Sequence, residues 1–199
     1  MTSLIEKLYR LSEWIMKLAY VNFLWIFFTI VGLGVFGFFP GTVAMFTIIR
    51  KWLMKDVDAP IFKTFWHAYR KDFLRANILG FSMIVIGYLL YVDYRFFQST
   101  GSLLQPISFI FIILLFLYFV VFLYIFPVFV HYEYKLFEYI KYSLVIALGK
   151  PFQTFVMVMS SFILLFVFQF LPGLIPFFAG SLMSIVLMWI AANAFPKEE

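Results

Sequence analysis

Apolar and polar positions alternate in long blocks along this chain. Residues 1–17 mix Glu6, Lys7, Arg10, Glu13 and Lys17 with Leu4, Ile5, Leu8, Leu11 and Ile15. This reads as an interfacial helix running into a membrane. Residues 18–49 then carry no charge at all. That run exceeds the roughly 20 residues one spanning helix needs and falls short of two comfortable crossings. Gly37-Phe38-Phe39-Pro40-Gly41 lies in its middle, and Pro with Gly is a turn signal. The pattern predicts a hairpin, with a first span over residues 14–38 and a short second span over residues 42–53. In an alternative five-span arrangement the second segment is re-entrant.

Residues 50–75 are charged, but Phe62, Phe65, Trp66, Tyr69 and Phe73 recur at helical spacing opposite Lys63, His67, Arg70 and Lys71. That periodicity predicts an amphipathic helix over residues 61–75. A third span follows at 76–92, a polar loop at 98–102 and a fourth span at 107–130 with Pro127 near its end. A second amphipathic helix is predicted over residues 135–148, with Phe137, Ile140, Leu144, Ala147 and Leu148 as its apolar side and Glu138 and Lys141 among its charges. Spans five and six occupy residues 152–171 and 177–195, separated by the Pro172–Pro176 turn. The whole chain, 1–199, is read as one transmembrane domain. Its halves, 1–95 and 106–199, faintly echo each other, since each contains a span, an amphipathic helix and another span.

Composition agrees with that solvent. The chain is 65% hydrophobic and 13% charged, with a mean hydropathy of +1.01. Soluble domains are about 45–50% apolar and about 25% charged. The net charge of +5 is accounted for by the enrichment of Lys and Arg in cytoplasmic loops, so no nucleic-acid partner is expected. Six spans with both termini inside place 14 of the 15 Lys and Arg in the cytoplasm. Five spans with the N-terminus outside distribute them less well. The first apolar run is too long for a signal-peptide core, so no removable leader is expected. There is no cysteine, which excludes thiol catalysis and disulfides.

Three groups of residues carry a resemblance: Asn22-Phe23-Leu24-Trp25, then Pro40-Gly41-Thr42-Val43-Ala44-Met45-Phe46 before the basic pair Arg50-Lys51, then Phe62 and Phe65. On these the chain resembles the YesL-like bacterial integral membrane proteins, most closely over its first half. Where many members have Ile-Gly before the proline, this chain has Phe38-Phe39. Asn22, Trp25, Pro40, Thr42, Ala44, Phe62 and Phe65 therefore stand as structural motif positions. The resemblance implies a bacterial plasma-membrane protein with an accessory role in saccharide uptake by ABC importers.

No span centre holds an ionisable residue, whereas proton-coupled transporters and intramembrane enzymes place such groups at membrane depth. Both histidines, His67 and His131, fall in cytoplasmic segments. No catalytic residue, metal site or cofactor is therefore expected. Lys63, His67, Arg70, Lys71, Glu138 and Lys141 are candidate contacts to anionic headgroups or to a membrane-protein partner. The chain is expected to be all-helical and non-enzymatic, most simply an accessory or regulatory subunit of a carbohydrate ABC importer. The alternative is a small stand-alone transporter or channel for a polar solute, with Asn22, Asn77 and Gln169 as pieces of a polar path.

Overall fold

The computed structural model describes residues 2–99 and 105–196. Most of the 98–102 loop and the charged tail from Lys197 lie outside the described residues. Within them the chain forms eight α-helices: α1 Thr2–Val31, α2 Val35–Leu53, α3 Ile61–Lys71, α4 Phe73–Ser99, α5 Ile107–His131, α6 Leu136–Gly149, α7 Pro151–Phe170 and α8 Ile175–Ala194. A single 3-10 turn, Pro172–Leu174, leads into α8. The all-helical expectation holds.

Among the described residues five helices are long and apolar enough to cross a membrane: α1, α4, α5, α7, and α8 with the turn before it. The second segment is not among the five, and its path differs from the expected one. The hairpin turn falls at Gly32-Leu33-Gly34, and α2 runs straight through Pro40-Gly41. Leu33 and Gly34 have φ of 58° and 75°. That left-handed pair reverses the chain, and glycine adopts it without strain. Gly37 lets the two helices close, because a Cβ there would stand 2.5 Å from the Phe28 and Thr29 carbonyl oxygens.

Helix α2 is the axis of the bundle. It packs against α1, α3, α4, α5 and α8, and its residues Val43, Ala44, Met45, Phe46, Ile48 and Ile49 are buried. A helix sheathed by other helices needs little lipid-facing hydrophobicity. This is why Gly37, Pro40, Gly41 and Thr42 are tolerated where a lipid-exposed span would be uniformly apolar. Its 19 residues measure about 28 Å, close to the hydrocarbon thickness.

One end of the bundle gathers the charged ends of several helices. Trp14 meets Trp52 edge-on at 5.4 Å, and Lys17 Nζ donates to the Val57 carbonyl at 3.4 Å. Arg50 and His131 line one cleft, and the His131 ring lies 4.4 Å from Phe195. The α1–α2 turn lies at the opposite end of α2. Each amphipathic helix folds back on the helix before it, α3 on α2 and α6 on α5.

Candidate functional site

Helix α3 starts after Pro60, whose fixed φ of −65° and missing N–H suit a helix start. It ends at Lys71, four residues earlier than periodicity predicts. Asp72 (φ −103°, ψ 10°) kinks the chain there while the backbone bonds continue, Asp72 N to Ala68 O and Ala76 N to Asp72 O. Phe73 and Arg75 therefore belong to α4. The spacing of apolar residues persists across a kink, so periodicity alone overran it.

Phe65, Ala68 and Tyr69 form the buried face of α3. Phe65 and Tyr69 bracket the Phe28 ring at 5.2 and 5.0 Å, and Tyr69 Oη donates to the Phe28 carbonyl at 3.2 Å. Phe62, half-exposed, reaches the same ring at 6.3 Å. With its apolar face held on α1 and α2, α3 leaves Lys63, His67, Arg70 and Lys71 outward. These four border one shallow depression with Thr47, Lys51 and Trp66. The Arg70 guanidinium stands 5.4 Å over the Trp66 ring, which limits the freedom of an otherwise solvated side chain.

The other two candidates lie elsewhere. Glu138 accepts the Lys135 N–H at 2.9 Å and so caps the start of α6. Lys141 is exposed, and neither residue borders the α3 depression. The inward face of α6 is Tyr139, Ser143, Ile146 and Ala147. Of the expected apolar side Ala147 is among them, Ile140 and Leu144 are partly buried against the core, and Phe137 and Leu148 are exposed at 81% and 64%. Lipid accepts apolar side chains as readily as a protein core does, so apolar periodicity does not tell the inner face from the outer.

The motif positions resolve into joints between helices. Asn22, fully buried, reaches α8: its Nδ2 donates to the Pro176 carbonyl at 2.7 Å, and its Oδ1 accepts the N–H groups of Gly180 and Ser181 at 2.9 and 3.1 Å. Trp25 Nε1 donates to Thr42 Oγ1 at 3.1 Å, and Thr42 in turn donates to the Phe38 carbonyl at 2.8 Å. Pro40 has no N–H to offer the Phe36 carbonyl four residues back. Asn77 of α4 supplies the missing donor, with Nδ2 at 3.0 Å from Phe36 O and 2.9 Å from Phe73 O. Ala44 is fully buried on α2. Asn22 and Asn77 thus spend their amides on backbone groups, while Gln169 faces outward.

Electrostatics concentrate at the joint between α3 and α4. Lys71 Nζ lies 3.8 Å from Glu133, on the link between α5 and α6. Burial pushes the Asp72 carboxyl above its ordinary range, while neighbouring Lys71 and Arg75 oppose the shift. Among the described residues no group of three or more His, Cys, Asp or Glu could hold a metal ion.

A bundle of apolar helices of spanning length, fastened by buried amides and an indole, is a multi-pass membrane protein. Residues 18–94 match the family described as "Protein of unknown function, DUF624", a stretch that contains all seven motif positions. Over nearly its whole length the chain is similar to three proteins of Bacillus subtilis (strain 168). It is 38% identical to the "Uncharacterized protein YteU" over 98% of this chain and 88% of that one. For the "Uncharacterized protein YesV" the identity is 36% over 100% and 96%. For the "Uncharacterized protein YesL" it is 34% over 97% and 91%. The chain belongs to this YesL-like family of membrane proteins. No solved structure matches it.

Proposed function

We propose that the protein is a non-enzymatic accessory or regulatory subunit of a larger membrane complex in the bacterial plasma membrane, in keeping with the family resemblance a carbohydrate ABC importer. Both termini, α3 and α6 face the cytoplasm. The observation that carries this reading is α3 itself. Its aromatic face is locked onto α1 and α2 by Phe65 and Tyr69, so Lys63, His67 and Arg70 are presented on a firm platform. The buried amides also support it, because Asn22 and Asn77 close gaps in the backbone ladder and do not line a continuous polar path. The same cations contact anionic headgroups, each contributing roughly 1 kcal/mol near the surface.

The test is charge reversal on the exposed face. Lys63→Glu with Arg70→Glu leaves the buried residues of α3 untouched. Importer subunits should co-purify with the wild-type protein in mild detergent and be lost from the double variant, with insertion unchanged. Failure of any importer subunit to co-purify with wild type would refute the reading. Retention by the double variant would reduce α3 to a lipid contact.

A further inference from the structure

A second concavity lies behind the α3 platform. It is a cleft of about 330 Å³ between the α2–α3 pair and the α5–α6 pair, at the lower end of the roughly 300–1,000 Å³ typical of small-molecule sites. Arg50 enters it from the last turn of α2, Lys71 from the end of α3 and Arg75 from the first turn of α4. The aromatic rings of Phe129 and Tyr139 also line it. Among the described residues Asp72 and Glu133 are the carboxylates that line it, and Glu133 is paired with Lys71. Among the described residues, neither Arg50 nor Arg75 has a carboxylate within ion-pair distance. Arg50 Nε is buried and makes no hydrogen bond.

A guanidinium N–H withdrawn from water without an acceptor is costly, and the nearby charges of Lys71 and Arg75, only partly offset by Asp72 and Glu133, add to that cost in a space lined partly by rings. Guanidinium groups present several donors in a fixed fork that suits a phosphate oxyanion. We propose that this cleft binds a phosphate-bearing anion, held by Arg50, Lys71 and Arg75. The anion completes the hydrogen bonding of Arg50 and ties the α2–α3 pair to the α5–α6 pair. This binding site shares His67 and Lys71 with the outward face of α3, but Arg50 and Arg75 line the cleft alone, and it does not depend on the accessory role. Its ligand is a free phosphate compound or the headgroup of a phosphomonoester lipid, which share the same oxyanion chemistry.

The experiment uses full-length protein in phosphatidylcholine nanodiscs. Inorganic phosphate is titrated against chloride at constant ionic strength, and thermal unfolding is followed by tryptophan fluorescence. A parallel arm replaces free phosphate with phosphatidic acid in the disc. A saturable rise in Tm is expected in at least one arm, and the responding arm identifies the source. Arg75→Gln, at an exposed position, should weaken the response about tenfold, the usual worth of one charge-assisted hydrogen bond. Asp72→Asn removes a carboxylate from the cleft and should tighten it. Lys63 contacts headgroups from the outer face and does not line the cleft, so Lys63→Gln should leave the inorganic-phosphate response unchanged and weaken the phosphatidic-acid response less than Arg75→Gln does. No saturable response in either arm, an undiminished response in Arg75→Gln, or a loss in Lys63→Gln equal to that in Arg75→Gln would overturn the proposal.

Discussion

Asn77→Leu in the presence and absence of Pro40 tests the joint on which the axial helix depends. In the native chain the Phe36 carbonyl has no helix donor, because residue 40 is proline, and Asn77 Nδ2 fills that role at 3.0 Å. Losing a hydrogen bond between membrane helices costs about 0.6 kcal/mol on average and up to about 1.7. A buried carbonyl left without any donor costs about 1–3 kcal/mol. Against this, Asn77 Oδ1 is itself buried without a partner, so leucine also removes an unsatisfied acceptor. The single substitution is therefore the difference of two terms, and its net cost is about 1 kcal/mol. The double-mutant cycle isolates the wanted term. Pro40→Ala restores an N–H that can donate to Phe36 O, so Asn77→Leu should become nearly neutral in that background. Equilibrium unfolding in mixed micelles should show a coupling of about 1 kcal/mol between the two positions. Additive effects would refute the claim that Asn77 stands in for the missing proline N–H.

Other joints make comparable demands. Asn22→Leu should cost about 2–4 kcal/mol, because three hydrogen bonds to α8 are lost and buried backbone groups are left unpaired; the same unfolding assay measures it. Gly37→Ala should cost about 1–3 kcal/mol, since the added methyl meets backbone oxygens that cannot step aside. Glu138→Gln should cost less than about 1 kcal/mol and loosen only the start of α6, read as faster amide exchange at Lys135. Asp72 sets a pH dependence. Its pKa in the folded protein is raised, so the folded state binds this proton more tightly than the unfolded state. Stability should rise as pH falls through that raised value, and Asp72→Asn should remove the rise. An unchanged pH profile in the variant would contradict the assignment.

Much of this architecture was legible in the charge-free stretches and in the spacing of Phe62, Phe65 and Tyr69. The points that were not legible have physical reasons. Pro40-Gly41 carries the usual sign of a turn, yet it sits inside α2 because a side chain 37 positions later, Asn77, repairs the ladder. No local pattern announces such a repair. The real turn, Gly32-Leu33-Gly34, is marked only by two glycines around a leucine that takes a left-handed conformation. The inner face of α6 was legible only in part, at Ile140, Leu144 and Ala147, for a different reason. Water sorts polar from apolar faces, but lipid does not, so Phe137 and Leu148 point outward. The meeting of Arg50, Lys71 and Arg75 depends on how three helices pack, and spacing along the chain does not encode that.

The proposed docking face has one requirement: the end of the bundle that carries Arg50, α3 and His131 must face the cytoplasm. The chain has no cysteine, so single thiols can be introduced without background. Lys63→Cys lies on α3 at that end, and Gln105→Cys lies just before α5. Intact cells are treated with a membrane-impermeant thiol reagent, and labelling is compared before and after permeabilisation. Gln105→Cys should label in intact cells and Lys63→Cys only after permeabilisation, whereas labelling of Lys63→Cys from outside would contradict the account.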